Sequence, residues 1–315
     1  MRIAFAALVL LSILFSSSHA LYPVGSRAVI IRIDDVQDYA QPSPYALPEK
    51  TTLQYHIDQR MPALVSVIAS RFGNDPQLVD QIKEGLNMGV FTVALHGWHH
   101  SYFDNLSLTE QTADLQRGKN RLEAVLGIQV LSFVPPYAKF NDQTISAMKE
   151  SGFTLFSSAT YEGDVPREEN GLTFIPQSVT TAEVEFNTDN WRQLPIESIA
   201  KQINESWDSY GVAVVVVHPR QFIGPDGETM LKAYAQLLDW IQNEGGKIVH
   251  VQPKSVAKKY IFDPFMISVG IFGGLTSTLL IAFNLSARRS RRHQENVKRS
   301  RANKGLSSYR VVVAE

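Results

Sequence analysis

The stretch Ala28-Val29-Ile30-Ile31-Arg32-Ile33, ending in Asp34-Asp35, decides the fold of this chain. It is apolar and β-branched without a hydrophobic/polar alternation. Similar runs recur: Leu64 to Ile68, Val90 to Leu95, Val130 to Val134, Phe153 to Phe156, Val212 to Val217 and Lys247 to Val251. Strands of this kind are buried on both faces, as parallel strands covered by helices are. Helical patterns lie between them. Pro76 to Met88 carries Leu78, Val79, Ile82 and Leu86 at helical spacing. Ser107-Leu108-Thr109-Glu110 has the form of a capping box, and Gly127 closes the helix it opens. Asp142 to Ser151, Ile196 to Tyr210 and Leu231 to Asn243 read as further helices. The expectation is an α/β protein, a distorted (β/α)-barrel of about seven parallel strands, rather than an open doubly wound sheet. No GxGxxG or GxxxxGK[ST] loop is present, so a nucleotide cofactor has no support.

The ends of the chain read differently. Residues 1–20 have the form of a signal peptide: Arg2, an apolar run from Ile3 to Phe15, then Ser18-His19-Ala20 at the cleavage position. Pro264 to Ala287 contains no charged residue over its length and is long enough to span a bilayer as a helix. Arg288, Arg289, Arg291 and Arg292 follow at once and predict a cytoplasmic tail over 288–315. The expected organisation is an exported domain over 21–263, one transmembrane helix over 264–287 and a basic tail inside the cell membrane. The formal net charge of −1 conceals this division, because residues 21–263 hold 20 Lys and Arg against 29 Asp and Glu. An acidic main domain argues against nucleic acid as partner. Oligomeric state is not fixed by any of these features. Cysteine is absent, so any metal must be held by His, Asp, Glu or water.

Four polar islands sit where strands are expected to end: Asp34-Asp35, His96-Gly97-Trp98-His99-His100, Val134-Pro135-Pro136-Tyr137 and Val217-His218-Pro219. In a (β/α)-barrel the strand ends share one rim, so side chains distant in sequence converge there. One carboxylate and two imidazoles suit a divalent cation with open positions. Asp35, His96 and His100 supply that set, with His99 as an alternative to His100. Asp34 points the other way along a strand and suits a general base. His218 suits a general acid for a departing amine. A backbone N–H near Tyr137 is a candidate oxyanion donor. Trp98 and Trp191 are the tryptophans expected near the site, where they suit sugar stacking.

These islands resemble the motifs of the polysaccharide deacetylase family, the NodB-homology or fourth carbohydrate esterase family. Asp34 and Asp35 match its first motif, in which the first Asp is the base and the second a metal ligand. His96 to His100 matches its second, with Gly97 in place of a hydroxyl residue. Val134-Pro135-Pro136-Tyr137 matches its Arg-x-Pro-Tyr motif, and His218 its acid. Asp189-Asn190-Trp191 is a weaker match to a motif whose Asp tunes that acid and whose Trp lines the pocket. The resemblance covers residue 28 to about residue 251. It implies N-deacetylation of acetylated amino sugars in surface or extracellular glycans with a divalent metal: zinc first, cobalt, nickel or manganese as alternatives.

The chain departs from the family pattern at Val134, where the family has the Arg that orients the base. The resemblance then implies a divergent branch whose Asp34 lacks a neighbouring cation and is less depressed in pKa. Asn141, just past the motif, is the substitute the sequence offers. Two other readings follow: a carbohydrate-binding surface protein with impaired chemistry, or a metal-dependent amidase on a C–N bond outside sugars. The long segment Val36 to Arg60, with Pro42, Pro44 and Pro48, reads as a lid over the rim or a surface loop.

Overall fold

The computed structural model describes residues 21–40, 43, 44, 46–184, 191–223 and 227–255. The expected signal peptide, transmembrane helix and basic tail lie outside the described residues. Among the described residues no helix is long and apolar enough to cross a membrane.

A curled, largely parallel sheet forms the centre. Strand β1 (Ala28–Val36) pairs in parallel with β2 (Ala63–Val67), which pairs with β3 (Phe91–Leu95). The sheet continues through β4 (Ser132–Phe133) and β5 (Leu155–Phe156). A hairpin-like pair, β6 (Arg167–Glu169) and β7 (Leu172–Phe174), follows, with β7 parallel to β5. The chain then runs through a bridge between Ala159 and Gln177 into β8 (Val179–Thr180). Strands β9 (Ala182–Val184) and β10 (Trp191–Gln193) form a separate antiparallel pair. Strand β11 (Val212–Val217) lies between β1 and β8, and β12 (Lys247–Ile248) pairs with the start of β1. The extended segment 172–180 thus pairs with β5 on one side and β11 on the other, so it bridges the two ends of the curl.

Among the described residues six α-helices accompany the strands: α1 (Ala46–Asp58), α2 (Pro76–Asn87), α3 (Leu108–Leu126), α4 (Asp142–Glu150), α5 (Ile196–Tyr210) and α6 (Gly227–Asn243). Helix α3 begins at the expected capping box, with Ser107 and Glu110 reciprocally bonded, and ends at Gly127 in the left-handed region. Helix α2 starts at Asp75, whose carboxylate accepts from the N–H groups of Gln77 and Leu78. Gly118 is where α3 meets the sheet: a Cβ there would lie 2.5 Å from Leu95 Cδ1.

The segment Val36 to Arg60 is not a lid or a bare loop. It contains α1, which buries Glu49, Thr52, Leu53, His56 and Ile57. Its weak amphipathic pattern concealed it. His56 sits where an aliphatic residue would be expected, bonded to the Met61 carbonyl and the Tyr234 hydroxyl. Burial holds its imidazole down at about 4, so it is a neutral core residue.

Why the strands lack alternation is visible in the packing. Val29, Ile31, Ile33, Ala213, Val215 and Val217 join the large core under the helices. Ala28, Ile30, Leu64, Ala94, Val134, Val212 and Val214 form a second, smaller core. The residues that alternate with the helix-facing set line the concave side of the curl. Both faces are dry, so both are apolar along most of each strand.

Candidate active site

Where β1 ends, the two-residue period of the strand carries Arg32 and Asp34 on the same concave face as Ile30. Asp35 breaks the period. Its φ is +65°, in the left-handed region that an L residue occupies at a cost of about 1–3 kcal/mol. The β1–β2 register shifts at the same point, between Ile33 and Val36. The break sends the Asp35 carboxylate toward the loop after β3.

That loop brings two imidazoles to one oxygen. His96 Nε2 lies 3.2 Å and His100 Nε2 3.0 Å from Asp35 Oδ1. The three ligand atoms fall within 4.8 Å of one another, a spacing that can hold a metal ion. His96 Nδ1 donates to the Val134 carbonyl at 2.8 Å, which fixes the tautomer and leaves Nε2 aimed at Asp35. Asp35 Oδ1 is buried and makes no hydrogen bond with ordinary geometry. A buried anionic oxygen facing two ring nitrogens fits a divalent cation of the zinc type, which takes nitrogen and oxygen donors. Burial pushes the Asp35 carboxyl up, but the two imidazoles overcome it and hold the group well below the usual range. Position distinguishes the neighbouring histidines: His99 sets its ring edge-on to Trp98, centroids 5.8 Å apart, and His100 reaches Asp35. His100, at φ +61°, shares the left-handed conformation of Asp35.

Gly97 stands where a hydroxyl residue was expected, for a backbone reason. Its φ is +70°, and a Cβ there would sit 3.3 Å from Pro136 Cγ and 3.4 Å from Phe103. Pro136 itself is buried against this loop. Tyr137 adopts φ +58°, is half-exposed, and stacks on Tyr102 at 4.1 Å with its ring 4.5 Å from that of His100.

Asp34 occupies a different environment. Arg32 is 3% exposed and binds it with a fork: Nε reaches Oδ1 at 3.0 Å and Nη2 reaches Oδ2 at 2.8 Å. Burial raises the Asp34 carboxyl, but the Arg32 guanidinium, with His96 and His218, outweighs it and leaves the group below the ordinary carboxylate value. This corrects the expectation drawn from Val134. The cation beside Asp34 is present, supplied two residues earlier on the same strand. Asn141 does not substitute; it caps α4 by accepting from the Thr144 N–H. The missed signal was a charged residue inside an otherwise continuous apolar strand, at period-two spacing from Asp34.

His218 follows β11 and tilts its ring against Trp191 at 4.7 Å. The Gln221 side-chain carbonyl accepts from its backbone N–H at 3.3 Å. Burial lowers its imidazole, with Arg32 and His96 adding to the effect, while Asp35 and Asp34 pull it back up. Trp98 donates its backbone N–H to Asp114, and Arg117 lies 3.9 Å over its ring. Asp189 lies outside the described residues. A cleft of about 890 Å³ opens among the described residues between the loops after β1 and β2, lined by Tyr39, Lys50, Arg71, Asn74 and Gln77 among others. No member of the cluster lines it, so the chemistry of the side chains, not the size of the cavity, marks the site.

Residues 25–156 match the family described as polysaccharide deacetylase, a span that takes in Asp34, Asp35, His96, His100 and Tyr137 but stops short of His218. No curated protein matches the chain by sequence. Among solved structures, the Bc1960 peptidoglycan N-acetylglucosamine deacetylase superposes with a TM-score of 0.50 at 15% identity, over 73% of this chain and 88% of that one. A candidate polysaccharide deacetylase from Mycobacterium smegmatis superposes with a TM-score of 0.53 at 17% identity, over 75% of this chain and 97% of that one. At such identities the two superpositions speak for the fold.

Proposed function

We propose, from the premise that this chain belongs to the polysaccharide deacetylase superfamily, that it is a metal-dependent hydrolase removing acetyl groups from acetylated amino sugars in surface or extracellular glycans. One observation carries the reading: the buried Asp35 Oδ1 faces the Nε2 atoms of His96 and His100 at 3.2 and 3.0 Å. Those three residues would hold the cation, zinc first by the donor set. When bound, it would supply a Lewis acid at the acetyl carbonyl.

The remaining steps belong to the protein. Asp34, ionised and held by Arg32, takes a proton from the attacking water. The backbone beside Tyr137, in its left-handed turn, faces the developing oxyanion, and Pro136 fixes that turn. His218 gives a proton to the departing amine nitrogen. It is half-buried and tilted against Trp191, and both carboxylates favour its protonated form. Location is read from the sequence: a single membrane helix over 264–287 with the catalytic domain outside.

Acetate release from acetylated amino-sugar oligomers, measured with zinc supplied and again after chelation, tests the proposal. We expect release that chelation abolishes and zinc restores. A chain that binds no cation, or that releases nothing from any acetylated sugar, refutes it. Turnover confined to amides outside sugars would move the substrate assignment to another C–N bond.

A further inference from the structure

Arg32 is the one cation in β1, and its placement is unusual for the amount of structure it touches. Its side chain crosses the concave interior. Nη1 donates to the Ser157 carbonyl, the Ser157 hydroxyl and the Ser158 carbonyl, each at 2.9 Å. Nη2 donates to Gln177 Oε1 at 3.2 Å as well as to Asp34. Every donor of the guanidinium is therefore engaged. The partners come from three places in the fold: the end of β1, the turn after β5 and the segment 172–180. The Ser157 hydroxyl donates in turn to the Ile175 carbonyl at 2.7 Å, so the cradle is itself tied down.

A fork-to-fork pair fixes both the distance and the plane of a carboxylate, as a single ammonium contact does not. Asp34 makes its described hydrogen bonds to Arg32 alone among side chains. Its orientation is thus set from the opposite wall of the barrel. We infer that Arg32, anchored by Ser157, Ser158 and Gln177, is the positioning residue that holds the Asp34 carboxylate in reacting geometry. The inference rests on the proposed function for the meaning of that geometry, and on the observed contacts for the geometry itself. Arg32 touches neither substrate nor cation. Its effect passes wholly through Asp34.

The test uses the full chain and two variants, Arg32→Met and Arg32→Lys. Crystal structures of both should show the Asp35, His96 and His100 cluster intact and the Asp34 carboxylate turned away from its present plane. One cation per chain should remain bound. Turnover should fall about 100-fold in Arg32→Met with KM little changed, the loss that a misplacement of about 1 Å produces. Arg32→Lys keeps the charge and loses the fork; it should fold where Arg32→Met fails to, and still lose about tenfold. The double variant Arg32→Met/Asp34→Asn should be no slower than Asp34→Asn, because groups acting as a unit are not additive. Full turnover in Arg32→Lys, or losses that multiply in the double variant, would overturn the inference. A wild-type chain that binds zinc but releases no acetate removes the proposed function and leaves the crystallographic arm to decide: an unmoved Asp34 in Arg32→Lys or Arg32→Met then overturns it, and a displaced one upholds it.

Discussion

Asp34 and Asp35 are joined by one peptide bond and live in two different corners of the site. Asp35 sits at a left-handed break in β1 and faces two imidazoles, with no Lys or Arg paired to it among the described residues. Asp34 stays on the strand, 3% exposed, and is gripped by a guanidinium that reaches across the interior. The cation corner is built from a histidine pair four residues apart, His96 and His100, and from Asp35 at the end of β1. The base corner is built from Arg32, Ser157, Ser158 and Gln177, which span more than a hundred positions. The difference teaches that two chemically identical side chains take separate roles through backbone conformation and counter-charge, not through identity.

The largest test of that division is removal of the imidazoles. His96→Ala/His100→Ala should bind no stoichiometric zinc by elemental analysis and release no acetate above background; retained zinc would break the assignment of the cation corner. Asp34→Asn comes next. It should keep one zinc per chain while turnover falls about 1,000-fold, within the range that a positioned base contributes. Equal loss of metal in both variants would merge the two corners into one.

A third measurement uses a histidine outside both. The His56 imidazole is at about 4 in the fold against 6.5 when free, so the unfolded chain binds its proton first. Stability is therefore full above pH 6.5 and falls as the pH drops toward 4, by about 3 kcal/mol. Denaturant titrations of His56→Gln should lose most of that slope; an unchanged slope would place the acid sensitivity elsewhere. The smallest effect is expected at Ser157→Ala. It leaves the Arg32 fork in place but removes a buried hydroxyl that accepts from Arg32 and donates to Ile175. The cost should be about 1–2 kcal/mol in unfolding free energy. Turnover would drop only severalfold, and a loss as deep as that of Asp34→Asn would mean that Ser157 acts on the reaction directly.

Much of the cation corner was legible because its information is local. A strand end with two Asp and a His pair four residues apart point to one chemistry before any fold is known. What the spacing left open was which histidine turns inward. His99 and His100 are adjacent and chemically equal, and only the left-handed φ of His100 selects it. The base corner was misread for a related reason. Val134 marks a missing cation after β4, whereas the cation that meets Asp34 is Arg32 of β1, whose only trace in the sequence is a charge two residues before Asp34 in an apolar strand. Helix α1 escaped because Glu49 and His56 occupy its buried face, and burial of polar groups is a decision of their partners, Gln37, Met61 and Tyr234. The stretch from Ser157 to Pro195 carried no periodicity, since its strands are two or three residues long.

From sequence alone came the parallel, doubly covered strands, the polar residues at their ends, the capped helices and the donor types that a cation would require. These follow from hydrophobic periodicity and side-chain chemistry, which act within a few residues. Tertiary structure alone decided that Asp35 breaks the strand period, that His100 turns in, and that Ser157, Ser158 and Gln177 anchor Arg32 against Asp34 from across the interior. Those outcomes depend on which distant groups share a dry interior, where an ionised side chain persists only beside a partner that compensates it.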